Sequence, residues 1–181
     1  MASLIGIAGP KRSGKDTLGR GLAAALGLQQ DSFAGPLRAF VATMLGLTLA
    51  ELEEVKEAPV AWLDGVTPRS MMQTVGTEWG RRMVHPDLWL RALLARVPAE
   101  GAVISDVRFP NEAEAIIEQG GVVIRLSRPG TGEGDGHASE TPLPGYLVTF
   151  ELTNDSTPDD LVARALGLLR GTPQYAVALR D

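Results

Sequence analysis

This sequence predicts an α/β fold in three layers, α/β/α, around a mainly parallel sheet. Three observations carry the prediction. Short apolar runs alternate with segments of helical period along most of the chain. The first run, Leu4-Ile5-Gly6-Ile7-Ala8, passes through a glycine-rich turn into a helix-period segment. A later run, Ala102-Val103-Ile104-Ser105-Asp106, ends in an acid, at the edge where parallel sheets take their ligands.

Each element follows from local signals. Residues 4–8 read as a buried strand, and 18–26 as a helix with Leu18, Leu22, Ala25 and Leu26 on one face. Residues 29–33 read as a short second strand, after which Ala34-Gly35-Pro36 breaks the pattern. A helix over 37–45 has Leu37, Phe40, Val41, Met44 and Leu45 as its apolar set and Gly46 as its stop. A helix over 49–58 carries Glu51, Glu53, Glu54 and Glu57, read as a solvated acidic face. Residues 59–68 form a linker or mobile loop, with Pro59, Asp64-Gly65 and Pro68 as its turn signals. Thr67 caps a helix with Pro68 in its first turn, running to Val84 with a bend at Gly76 or Gly80. His85-Pro86-Asp87 restarts a helix over 88–97, and His85 reads as structural, having no His or Cys cluster around it. Then come the strand 102–106, a helix 111–119 ended by Gly120-Gly121, a strand 122–126, a last strand 146–153 and a helix 158–169. Residues 128–145, rich in Gly and Pro, cannot bury much and read as an active-site lid, with a plain surface loop as the alternative.

The 181 residues, 44% of them hydrophobic, suit one globular domain with a substantial core. No run reaches the roughly 18 apolar residues of a membrane span, and the N-terminus enters a strand without a signal peptide. With no cysteine there are no disulfides or thiolate metal sites, which fits a reducing cytoplasm. A net charge of −5 argues against a surface that coats nucleic acid. The cations nevertheless cluster: Lys11, Arg12 and Lys15; Arg69; Arg81 and Arg82; Arg108; Arg125 and Arg128. Most fall where loops at one end of a sheet are expected, which suits a small anionic substrate. Surface solvation accounts for some of Arg20, Arg96, Arg164 and Arg170.

The spacing Gly9-x-x-x-x-Gly14-Lys15, between a strand and a helix, fits a phosphate-binding loop of Walker A type. Glycines let successive amide N–H groups turn inward toward phosphate oxygens, and the helix start adds its own N–H groups and dipole. Lys15 supplies a mobile cation. Asp16 stands where Ser or Thr normally helps hold magnesium, and Thr17 follows it. Asp16 either approaches the metal, directly or through water, or is a first-turn acid on the helix dipole. Lys11 and Arg12 are extra cations, and Lys11 suits a loop that also reaches a second phosphorylated substrate.

Several segments, in order, resemble the phage-type deoxynucleoside monophosphate kinases. They are Gly9 to Thr17, Phe33-Ala34-Gly35-Pro36-Leu37-Arg38, Gly76-Thr77-Glu78-Trp79-Gly80-Arg81, Asp106-Val107-Arg108-Phe109-Pro110-Asn111-Glu112 and His137-Ala138-Ser139-Glu140. The resemblance implies a P-loop NTPase of the nucleoside-monophosphate-kinase type, with an acceptor-binding helical segment near 34–97 and a lid near 128–145. It implies transfer of the γ-phosphoryl of ATP, with Mg²⁺, to a 5′ deoxynucleoside monophosphate. Gly9, Arg12, Ser13, Gly14, Lys15, Asp16 and Thr17 would hold the ATP phosphates and magnesium. Lys11 would reach the acceptor phosphate, and Arg38, Arg69 and Arg108 would be acceptor-site or transition-state cations. Asp106 would hold a substrate group or, through water, the metal. Leu37, His137 and Glu140 would join the substrate site, and Asn154 and Asp155 would lie beneath the donor base. Gly35 stands where an acid is expected and Arg38 where Lys is common. The resemblance implies no membrane and no stable nucleic-acid partner, admits a homodimer, and implies the cytoplasm, a host's if the gene is a phage's.

Three rivals stand beside this reading. A phage DNA kinase acting on 5-hydroxymethyluracil in DNA would need a base for the hydroxyl, a role open to Asp106. A non-catalytic nucleotide-binding protein would have lost its acceptor-site cations, yet Lys11, Arg69 and Arg108 are present. A kinase for a phosphorylated non-nucleotide is the third, since fold does not dictate substrate.

Overall fold

The computed structural model describes residues 3–131 and 142–176. They divide into two compact units, one of residues 1–32 and 96–181, the other of residues 33–95.

The first unit holds the sheet. Its strands are β1 (Ser3–Ala8), β2 (Gln29–Asp31), β3 (Gly101–Val107), β4 (Val122–Ser127) and β5 (Phe150–Thr153), in the order β2-β3-β1-β4-β5. All neighbours are parallel. Numbered along the whole chain, the helices of this unit are α1 (Lys15–Leu26), α6 (Pro110–Glu118), α7 (Pro158–Arg170) and α8 (Pro173–Ala176). Successive residues of β1 point to opposite faces. Ile5 and Ile7 join a buried cluster with Leu18 and Leu22 of α1 and Leu161 and Leu169 of α7. Gly6, between them, faces α6: a Cβ there would lie 2.8 Å from Ile116 Cδ1. The sheet is thus covered on both faces, the three-layer arrangement expected. Tyr175 of α8 is buried, and its hydroxyl donates to the Leu4 carbonyl at 2.6 Å.

Two strands are shorter than the sequence suggests. β2 stops at Asp31, whose carboxylate accepts the Ser32 N–H at 2.6 Å and so replaces the ladder. β5 begins at Phe150, not Tyr146. Residues Gly145–Leu147 wind into a 3₁₀ turn, with Leu147 N–H donating to Pro144 O.

The second unit comprises α2 (Gly35–Leu45), α3 (Leu49–Val55), a 3₁₀ turn (Ala61–Leu63), α4 (Pro68–Gln73), a π-helix (Thr74–Val84) and α5 (Leu88–Leu94). Gly35-Pro36 opens α2 instead of breaking the chain, because a proline in the first turn forfeits no helical hydrogen bond. α3 and α5 both end three residues early. Where one helix with a bend at Gly76 or Gly80 was expected, α4 gives way at Thr74 to π-winding that includes both glycines. Trp89 Nε1 donates to the Gly76 carbonyl at 2.8 Å, and His85 N–H closes a wide turn on Gly80 O at 3.0 Å. Gly80 leaves room for the Trp89 indole, whose Cζ2 would lie 2.6 Å from any Cβ there. Among the described residues no helix is long and apolar enough to cross a membrane.

Candidate active site

The loop between β1 and α1 is shaped by three residues with positive φ: Gly9 at 146°, Arg12 at 66° and Gly14 at 100°. A Cβ on Gly9 would run into the Leu126 carbonyl, so only glycine fits. Gly14 is the left-handed residue before α1, whose first N–H groups have no intrahelical partner. Lys15 arches over the loop, its Nζ donating to Gly9 O at 2.8 Å and Pro10 O at 2.7 Å. Ser13 is wholly buried and its hydroxyl has no hydrogen-bond partner among the described residues. Lys11, Arg12, Asp16 and Thr17 are exposed.

Sheet register brings a second segment to this loop. Ala8 of β1 pairs with Val107 of β3, after a shift in register from Gly6–Ile104. Gly9 and Arg108 therefore leave the same edge from neighbouring strands. Ser105 Oγ donates to Asp16 Oδ1 at 2.9 Å, tying β3 to the first turn of α1. Asp106 is buried and Arg108 half-buried. Directly after them, Glu112 is 2% exposed, and its Oε2 accepts the backbone N–H of both Arg108 and Phe109. Sequence reasoning gave Glu112 no role. The available signal was an acid in the first turn of a helix opened by Pro110.

The end of β5 closes the loop from the other side. Asn154 N–H donates to Ser127 O at 2.8 Å, and Asn154 Nδ2 donates to the Ser13 carbonyl at 2.8 Å. Asp155 is turned to Arg164, at 2.8 Å, whose hydrogen bond holds the Asp155 carboxyl below its ordinary pKa and raises that of the guanidinium. Arg96 is paired as well. Arg96 forks onto Asp31 at 2.9 and 3.0 Å and onto Ser32 O at 2.6 Å.

Leu37, Arg38 and Arg69 belong to the second unit. There Leu37 is buried under Gly76, Arg38 lies in the first turn of α2, and Arg69 Nε donates to Glu57 at 2.6 Å. His137, Glu140 and most of the expected lid lie outside the described residues. Among the described residues no group of three or more His, Cys, Asp or Glu is arranged for a metal. The oxygens of Asp16, Thr17 and Asp106 are nonetheless of the hard type that Mg²⁺ takes.

The chain matches the model of a family described as deoxynucleotide monophosphate kinase over residues 42–165. A relative from Acanthamoeba polyphaga mimivirus, provisionally named deoxynucleotide monophosphate kinase, is 39% identical over 189 residues, covering 94% of this chain and 98% of its own. The deoxynucleoside-5′-monophosphate kinase of Escherichia phage T5 is 39% identical over 100 residues, 49% of this chain and 40% of that protein. Among solved structures, the shikimate kinase of Acinetobacter baumannii in complex with shikimate superposes with a TM-score of 0.50, at 18% identity and 96% coverage of both chains. That likeness concerns the fold alone.

Proposed function

The chain belongs to the deoxynucleotide monophosphate kinase family and is a kinase, and from that premise we propose that it transfers the γ-phosphoryl of ATP to a 5′ deoxynucleoside monophosphate. The observation that carries the reading is the Ala8–Val107 register, which sets the Gly9–Lys15 loop and Arg108 on one edge of the sheet. Two cation-bearing segments side by side suit two anionic substrates that must meet.

Positive φ at three loop positions, the glycine-only approach to Leu126 and the start of α1 make a cradle for a phosphate chain. In this reading Gly9, Arg12, Ser13, Gly14 and Lys15 hold the donor phosphates. Lys15 exchanges its two carbonyl partners for phosphate oxygens, which a flexible ammonium does readily. Mg²⁺, when bound with ATP, neutralises charge on the phosphate oxygens, and Asp16, Thr17 and Asp106 are the residues that would hold it. Lys11 and Arg108 hold the acceptor phosphate against the donor. An acceptor oxygen bonds to the γ-phosphorus as the bond to the β–γ bridging oxygen breaks, and ADP leaves. The nucleophile is already an anion, so no general base is required; positioning and charge neutralisation do the work. Arg38 and Arg69, with Leu37, His137 and Glu140, carry their acceptor-side roles from the motif resemblance.

The test is a coupled ATP-to-ADP assay with Mg²⁺, offering each deoxynucleoside monophosphate in turn and, separately, DNA containing 5-hydroxymethyluracil. Turnover with at least one monophosphate is expected. Turnover with the DNA alone would overturn the proposed acceptor.

A further inference from the structure

Ser13 and Gly14 share one peptide group, and Asn154 holds one side of it. Asn154 Nδ2 donates to the Ser13 carbonyl at 2.8 Å. A Cβ on Gly14 would lie 2.5 Å from that same nitrogen, so the amide sits directly against the glycine. Asn154 is itself placed by its backbone N–H on Ser127 O, one step beyond the β4–β5 pairing that ends at Ser127–Thr153.

A trans peptide is planar, and its C=O and N–H point in opposite directions. Holding the Ser13 carbonyl toward Asn154 therefore turns the Gly14 N–H the other way. The restraint matters at this position. Glycine takes either sign of φ, so the Ser13–Gly14 peptide can flip at little steric cost. A flipped peptide would aim a carbonyl oxygen at bound phosphate and repel it. We infer that Asn154 is a positioning residue of the phosphate loop: by taking up the Ser13 carbonyl it presents the Gly14 N–H to the phosphate chain of the nucleotide. This rests on the reading of the loop as a nucleotide-phosphate site, and it gives Asn154 a task different from lying beneath the donor base. A loop that populates the flipped form binds with an affinity reduced by the competent fraction.

The experiment measures binding of ATP, ADP and inorganic tripolyphosphate, the last by competition, to wild type, Asn154→Ala, Asn154→Asp and Lys15→Met. Asn154→Ala is expected to weaken all three ligands by the same factor, about tenfold, the scale of one hydrogen bond. Asn154→Asp, which cannot donate and sets a carboxylate against the Ser13 carbonyl, is expected to weaken them further. The Gly14 amide resonance should shift on adding tripolyphosphate to wild type, and much less in Asn154→Ala. The KM for the acceptor monophosphate should not move. Loss of ATP affinity with tripolyphosphate unaffected would overturn the inference and return Asn154 to the base. Unchanged affinity for all three ligands would reduce the contact to a structural clasp. If Lys15→Met also binds them as wild type does, the error lies in the phosphate-loop reading, not in Asn154 alone. Should Asn154→Ala melt early, the nearly isosteric Asn154→Asp carries the test.

Discussion

Glu112 Oε2 accepts the backbone N–H of Arg108 at 2.9 Å and that of Phe109 at 3.1 Å. One buried carboxylate thus holds the corner where β3 leaves the sheet and α6 begins. Arg108 is offered from a backbone that is already fixed, so less ordering remains to be done when an anion binds. Glu112→Ala leaves two N–H groups without this acceptor and should cost about 1–3 kcal/mol in urea denaturation. Glu112→Gln keeps an oxygen in place and should recover most of that loss. For acceptor kcat/KM, the effect of Glu112→Ala should shrink in an Arg108→Ala background. Full additivity would show that Glu112 does not act through Arg108.

Lys15→Met should leave the fold intact, since Lys15 is partly exposed and its Nζ donates to the carbonyls of Gly9 and Pro10 within its own loop. Its phosphoryl transfer should fall by about 10²–10³ or more, the scale of losing one charge-stabilising donor. Steady-state kinetics beside a thermal melt would check both halves. Full activity would sink the phosphate-loop assignment.

Ser105 Oγ donates to Asp16 Oδ1, and variants of the two residues separate the two readings of Asp16. If the carboxylate helps hold magnesium, Asp16→Ala should raise the Mg²⁺ concentration for half-maximal rate several-fold, and Ser105→Ala should do so more mildly. If Asp16 only answers the helix dipole, the Mg²⁺ dependence stays and stability drops by about 0.3–1 kcal/mol. A magnesium titration of the rate in both variants decides between them.

In the second unit, Gly80→Ala would push a methyl group into the Trp89 indole, whose Cζ2 lies 2.6 Å from the new carbon. The expected cost is about 1–3 kcal/mol for overpacking a filled site. Trp89→Phe removes the donor to Gly76 O and should shift the π-helix toward α-winding, read out as altered amide exchange near Gly76 and Gly80.

The Asp155–Arg164 pair has a signed pH dependence. The hydrogen bond from Arg164 depresses the Asp155 carboxyl, so its stabilisation is present above the unfolded value near about 3.9 and lost as pH falls through the lower folded value. Asp155→Asn should therefore flatten the melting-temperature profile only below about pH 4. Because the Arg164 and Asp155 side chains are 38% and 52% exposed, the difference should be small at neutral pH. A large difference at pH 7 would mean the pair does more than the exposed contact suggests.

Much was legible locally. The strand, turn and helix over residues 3–26 are written in adjacent residues, because apolar period and glycine placement act over a few positions. The order of elements, the run of helices after β2 and the motif Asp106 to Glu112 could be read in the same way. Element ends were less legible where side chains compete with the backbone, as at Asp31, or where a distant ring shapes a helix, as Trp89 does at Gly76.

The sequence by itself determined the phosphate loop, the parallel α/β plan and the family resemblance, since each depends on short-range spacing. Tertiary structure alone decided that Asn154 holds Ser13, 141 residues away, and that Ser105 holds Asp16, 89 residues away. It also decided that Ala8 meets Val107, putting Arg108 beside the loop. These contacts follow from strand order and register, which place residues far apart in the chain within hydrogen-bond reach, and no local pattern of residue types encodes that order.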